Sequence, residues 1–178
     1  RSVCRDRRNI TVVEKAVGET VGSLPMVISK VDVLSTLSQD WINVVTQSGR
    51  FLQWETWKEN SEILVDVTTL EKSIEEFGEP GFTKIDVEGY EFQVLKGLKR
   101  PLSALSIEFS GEYFSRAKGC IEIAETLGEY EYQFSLEESM YFESLAWFNA
   151  AGLLENLQKL VEANPRVWGD IYMRLKRG

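Results

Sequence analysis

The 178-residue chain contains no histidine. That absence removes a Ser-His-Asp triad, a histidine general base and every histidine-containing metal site. Cysteine is scarce as well: only Cys4 and Cys120 occur. Two thiols cannot make a Cys4 zinc site, and they lack CxxC spacing. They read as ordinary thiols of a reducing compartment, so a cytoplasmic location is expected. Thirteen glycines and four prolines are too few for a linker-rich or low-complexity chain. No apolar run approaches the roughly 18 residues of a membrane helix, and no signal-peptide pattern occurs. Positive charge is in deficit, with 20 Lys and Arg against 28 Asp and Glu, a net of −8. Such a surface disfavours nonspecific attraction to nucleic acid or anionic lipid, so neither partner is expected.

What is present is the composition of a globular protein, 43% hydrophobic and 27% charged. The length suits a single domain with a real core, and residues 1–178 are read as one. Both ends are locally basic, through Arg1, Arg5, Arg7, Arg8 and Lys15, and through Arg174, Lys176 and Arg177. These read as solvated helix and tail charges.

Short β-rich runs alternate with helical runs, the pattern of an α/β protein with a mostly parallel sheet. Strands are expected at Asn9 to Val17, at Ser23 to Ser29 on an edge because of Pro25, at Phe51 to Lys58, and at Ile63 to Val67. Thr68 or Thr69 can cap a helix from Leu70 to Phe77, with Thr68 and Glu71 the better capping-box pair. Phe82 to Val87 is a strand, Glu88-Gly89 a turn, and Tyr90 to Leu98 a helix. Strand Leu102 to Phe109, helix Arg116 to Leu127 and strand Tyr130 to Leu136 follow. An apolar stripe of Trp147, Ala151, Leu154, Leu157 and Val161 predicts one long helix from Tyr141 to Ala163. Trp168 to Leu175 is the final strand.

The segment Thr69-Leu70, then FTKIDVEG at residues 82–89, then Val94-Leu95-Lys96-Gly97 resembles the FkbM-type S-adenosylmethionine-dependent methyltransferases. The resemblance covers most of residues 9–135. It implies a Rossmann-like class I methyltransferase sheet of seven strands, ordered 3-2-1-4-5-7-6 with the last strand antiparallel. On that template NITVVEKAV is the third strand, beside the cofactor's adenine, and Ala16, Val17 and Gly18 are cofactor contacts. The template's first two strands, its Gly-rich loop and the acidic residue for the ribose have no counterpart here. Arg1 to Arg8 would then lie in the helix after the second strand. The natural polypeptide is therefore expected to extend upstream by roughly 50–100 residues. The fragment's third strand should sit apart from FTKIDV, across a gap. The resemblance also implies S-adenosylmethionine as cofactor and a small-molecule or glycan hydroxyl as methyl acceptor.

Open α/β sheets bind ligands at the carboxyl ends of their strands, near a switch in strand order. Asp86 stands at such an end and Glu88 follows in the turn. Strand alternation puts Lys84, Asp86 and Glu88 on one side, with neighbours roughly 6–7 Å apart. With no histidine available, Asp86 and Glu88 are the candidate general bases, and Asp86 is also a cofactor contact. Each has a plainer role open to it: Asp86 can pair with Lys84, and Glu88 can favour a helix N-terminus. Glu108, ending the next strand, is either a pocket or a surface residue. Ser35 and Trp41, in an insertion, are candidates for the acceptor pocket, though a plain polar loop is the simpler account. No metal is expected, because two carboxylates in one turn are not a ligand set. Two other functions stay open: a catalytically inactive methyltransferase-like binding module, and a nucleotide-binding oxidoreductase in which KIDVEG would have no role.

Overall fold

The computed structural model describes residues 9–31, 34–50, 61–139 and 141–176. The strand expected at Phe51 to Lys58, the arginines of Arg1 to Arg8, and Cys4 lie outside them. The chain runs β1 (Ala16–Val17), β2 (Gly22–Ile28), α1 (Gln39–Ser48), β3 (Ser61–Thr68), α2 (Leu70–Phe77) and β4 (Thr83–Ile85). It continues through α3 (Glu91–Lys96), β5 (Ala104–Ser110), a 3-10 turn (Gly111–Tyr113), α4 (Phe114–Leu127), β6 (Tyr130–Leu136), α5 (Ala150–Ala163) and β7 (Trp168–Leu175). This is an α/β chain with two sheets, ordered β1-β3-β2 and β4-β5-β7-β6.

The second sheet holds the main core. β4 runs parallel to β5, while β7 lies antiparallel between β5 and β6. The expected mostly parallel sheet is thus not what the described residues form. β7 lies between β5 and β6 and runs opposite to both, so both of its pairings are antiparallel. Strand alternation then sorts the side chains. Leu105, Ile107, Ile171, Met173, Tyr132 and Phe134 are buried on one face, against Leu95, Ala117, Ile121, Ala124, Leu153 and Leu157 of α3, α4 and α5. The other face carries Lys84, Ser106, Glu108, Asp170 and Tyr172, in register across β4, β5 and β7. At the start of β5 the buried Tyr130 hydroxyl accepts from Leu102 N at 2.8 Å and donates to Leu102 O at 3.0 Å.

In the first sheet, β1 pairs with β3 in parallel and β2 pairs with β3 antiparallel. The expected nine-residue strand is cut to Ala16–Val17, since Ile10, Val12 and Val13 find no partner among the described residues and stay exposed. β1 is hydrogen-bonded to β3 and not to β4, so the NITVVEKAV and FTKIDV segments, expected to stand apart, lie in separate sheets. β2 is an edge strand, which suits Pro25.

Three helix assignments change. Thr69, not Thr68, caps α2, its hydroxyl accepting from Lys72 N at 3.1 Å; Glu71 instead meets Arg100. The long helix starts only at Ala150, where Asn149 accepts from Gly152 N as its cap. Residues 141–148 return along the free edge of β6, where Phe148 bridges Tyr132, and lean over the polar face, where the Gln133 amide donates to the Ser144 and Ala146 carbonyls and Phe142 meets Tyr172. Residues 39–48, expected as part of an insertion loop, form α1. Ser38 caps it by accepting from Trp41 N, and Gly49 ends it at φ 68°. Its buried Trp41, Ile42 and Val45 join Val27 and Leu34 in a small second core.

Candidate active site

The KIDVEG strand ends early. Beyond Ile85 the chain turns through Glu88 at φ 51° and Gly89 at φ 83°. Only a glycine suits the second position. A Cβ on Gly89 would stand 2.4 Å from the Trp41 side chain, which lies directly over the turn. From the insertion, the Thr36 hydroxyl donates to Glu88 O at 2.7 Å. The first sheet and α1 are thus fastened onto the end of β4.

Beside this turn opens a cavity of about 300 Å³. Glu88, Glu108 and Trp41 line it, together with Arg50, Tyr113, Arg116 and Trp168. Cys120 reaches it from α4 as a buried free thiol whose pKa is raised by burial. The aromatic side chains give the walls flat apolar faces. Arg50 is held rigidly: its guanidinium donates to both oxygens of Glu112, at 2.8 and 2.5 Å, and to the Arg166 carbonyl at 2.8 Å. Arg116 stacks over the Phe92 and Tyr113 rings, 5.4 and 5.6 Å from their centroids, and donates to the Tyr113 hydroxyl.

One carboxylate oxygen from each of Asp86, Glu88 and Glu108 lies within 4.8 Å of the others. Glu108 therefore adds a third acid to the pair in the turn. Three acids can gather round a cation, though no other feature among the described residues marks a metal centre. The three differ sharply in setting. Asp86 is exposed and stands 3.5 Å from Lys84, whose ammonium donates to Asp170 at 2.6 Å. The pairing open to Asp86 is thus realised, at the surface rather than in a buried pair. Burial disfavours the Lys84 ammonium, but Asp170, Asp86 and Glu108 outweigh it and raise its pKa. Glu88 and Glu108 are half-buried, and no side-chain hydrogen bond or ion pair to a described residue engages either carboxyl. Burial pushes Glu88 up to about 7, with repulsion from Asp86 and Glu91 adding to it and Arg50 opposing. Burial, then repulsion from Glu88 and Asp86, pushes Glu108 up to about 8.

Other expected residues fall elsewhere. Ser35 is absent from the cavity wall; its hydroxyl accepts from Ser29 N at 3.1 Å and closes a local turn. Ala16, Val17 and Gly18 do not line the cavity either. Gly18 is buried against Val67 and Tyr90, and its carbonyl fills the space where Gly97 would carry a Cβ. Arg50, Tyr113, Arg116 and Trp168 escaped the sequence reading. Only their approach through α1, the 3-10 turn and β7 brings them together.

No curated protein and no solved structure matches the chain. A family model described as the methyltransferase FkbM domain matches residues 2–135, a span that holds the Glu88-Gly89 turn, Glu108, Trp41 and both cavity arginines. The chain belongs to the FkbM methyltransferase family.

Proposed function

We propose that the chain is an S-adenosylmethionine-dependent methyltransferase, built on a Rossmann-like scaffold, that methylates a hydroxyl oxygen of a small-molecule or glycan acceptor. The observation that carries this reading is Glu88. It is a carboxyl without a partner among the described residues, on an aromatic-walled cavity, with its proton affinity raised to about pH 7.

The donor set suits the cofactor. Burial and mutual repulsion disfavour the charged forms of Glu88 and Glu108, and a sulfonium or ammonium nearby would offset that penalty. Trp41, Tyr113 and Trp168 offer faces to a planar group or a cation. Asp86, with Ala16, Val17 and Gly18 at the end of β1, is assigned to the cofactor side. Glu108 and Trp41 are assigned to the acceptor side; Ser35 leaves that set because its hydroxyl is engaged in its own turn.

When bound, the cofactor supplies an electrophilic methyl carbon on a sulfonium. Above about pH 7 Glu88 is ionised and takes the proton from the acceptor hydroxyl. Glu108, pushed up to about 8, lies beside it on the same cavity and donates a hydrogen bond there while it is protonated. A base so placed is worth about 10²–10⁴-fold. Holding the acceptor oxygen against the methyl carbon contributes more, and that falls to the walls formed by α1, Arg50 and Arg116.

Calorimetry on the full-length protein is expected to show binding of both S-adenosylmethionine and S-adenosylhomocysteine. In a tritiated-methyl assay with methyl glycosides and simple phenols, Glu88→Gln is expected to lower kcat about 100-fold. An unchanged rate would remove Glu88 as the base. If neither cofactor form binds, the inactive binding module becomes the better account.

A further inference from the structure

Glu91 is an acid that the proposed chemistry leaves unused. It sits in the first turn of α3 and is 6% exposed. Its Oε1 accepts two backbone hydrogen bonds at 3.2 Å each, from Val87 N and from Gly89 N. These amides flank Glu88, whose own φ of 51° is unusual for a residue with a side chain. A single carboxylate oxygen thus bridges the turn from below, while the Thr36 hydroxyl holds the Glu88 carbonyl from the insertion side.

We propose that Glu91 is a positioning residue, which by accepting from Val87 and Gly89 holds Glu88 in its left-handed conformation with the carboxyl on the cavity beside Glu108. The inference rests on the reading of Glu88 as the base. Without that acceptor the buried Gly89 amide and the part-buried Val87 amide would be unmatched, and the turn would relax toward ordinary φ values, swinging the Glu88 side chain away from the cavity. Burial raises the Glu91 pKa, although its backbone hydrogen bonds oppose this. Protonated or ionised, the group keeps an oxygen that accepts. A glutamine would do the same. A plainer role would be a negative charge at the start of α3, and a glutamine would not preserve that.

The test compares Glu91→Gln, which keeps the acceptor oxygen, with Glu91→Met, which keeps the length and loses it. Both are made in the full chain beside Glu88→Gln. NMR reads the exchange rates of the Val87 and Gly89 amides and the titration midpoint of the ¹³C-labelled Glu88 carboxyl. Glu91→Gln is expected to leave both amides protected and the Glu88 midpoint raised. In Glu91→Met the two amides are expected to exchange at least about tenfold faster, with the midpoint falling toward the ordinary carboxylate range. In the methylation assay its kcat falls about 100-fold at unchanged KM for S-adenosylmethionine. A folded Glu91→Met with protected amides and an unmoved midpoint overturns the proposal. So does a Glu91→Gln as damaged as Glu91→Met, which would assign the role to charge. If Glu91→Met does not fold, Glu91→Asp, one methylene too short to reach both amides, is read by the same two signals. A wild-type rate in Glu88→Gln would instead sink the base assignment, leaving the amide and midpoint comparison to decide Glu91 by itself.

Discussion

The two faces of the β4-β5-β7-β6 sheet are made by the same strands, one residue out of step. On β5, Leu105 and Ile107 point into the helices and are at most 1% exposed, while Ser106 and Glu108 point the other way. The first face is closed by α4 and α5 and is mostly apolar, with the rings of Tyr130 and Tyr132 and, on β4, Thr83 in register with Leu105. The second face gathers Lys84, Asp86, Glu108 and Asp170, and its carboxyl end leads to the cavity. Alternation therefore separates what holds the domain together from what it can do chemically. A change on one face should register mainly in stability, and a change on the other mainly in reactivity.

The sharpest break of that contrast is Ile107→Ala. It is expected to cost about 2–5 kcal/mol in chemical denaturation, because it opens a cavity in the fully buried face. Gly89→Ala crosses the divide. The new Cβ meets Trp41 at 2.4 Å and the residue must hold φ 83°. A loss of about 1–3 kcal/mol is expected, together with a shift in tryptophan emission as Trp41 is displaced. Acidity probes the second face directly. Glu88 and Glu108 fold with carboxyls raised from 4.5 to about 7 and about 8, so above 4.5 the native state binds more protons than the unfolded chain. Their contribution to stability is fully present below about pH 4.5, declines between 4.5 and 8, and is lost above that. Melting curves across that window should fall with pH, and the Glu88→Gln, Glu108→Gln double variant should flatten the fall. The smallest effect belongs to Lys84→Met. Its ion pairs with Asp86 and Asp170 are partly solvated, so stability should change by less than about 1 kcal/mol. A larger loss would mean that the polar face also carries the fold.

Legibility followed the same division. β5, β6 and β7 were readable because their apolar alternation is strong and turn residues bound them. α2 and α4 were readable because Gly78 and Gly128 stop them. The KIDVEG motif located the turn, and with it Asp86 and Glu88. It did not reveal that Glu88 faces a cavity while Asp86 faces solvent. That difference arises from the positive φ of Glu88 and from Trp41 arriving out of a separate element. α1 had local signals that went unread: Ser38 as cap, Ile42 and Val45 on one face, and Gly49 as stop. The opposite error came at residues 141–149. There the spacing from Trp147 to Ala151 imitates a helix, although Asn149 begins the helix and Trp147 packs under Arg174, 4.0 Å from its guanidinium. No local pattern could have joined Arg50 to Glu112 or to the Arg166 carbonyl, because those contacts exist only once three distant segments have met.

The phenol that closes both backbone groups of Leu102 has an optical consequence. Burial raises the pKa of Tyr130, against the opposing pull of its backbone hydrogen bond. Its neighbour Tyr132, 6.5 Å away between ring centroids, is raised by burial and by its hydrogen bond to Glu125. In alkali this pair resists conversion to tyrosinate, and its tyrosinate absorbance is delayed until the sheet parts from its helices. The delayed absorbance is a built-in clock for the opening of the main core, and it needs no dye and no label.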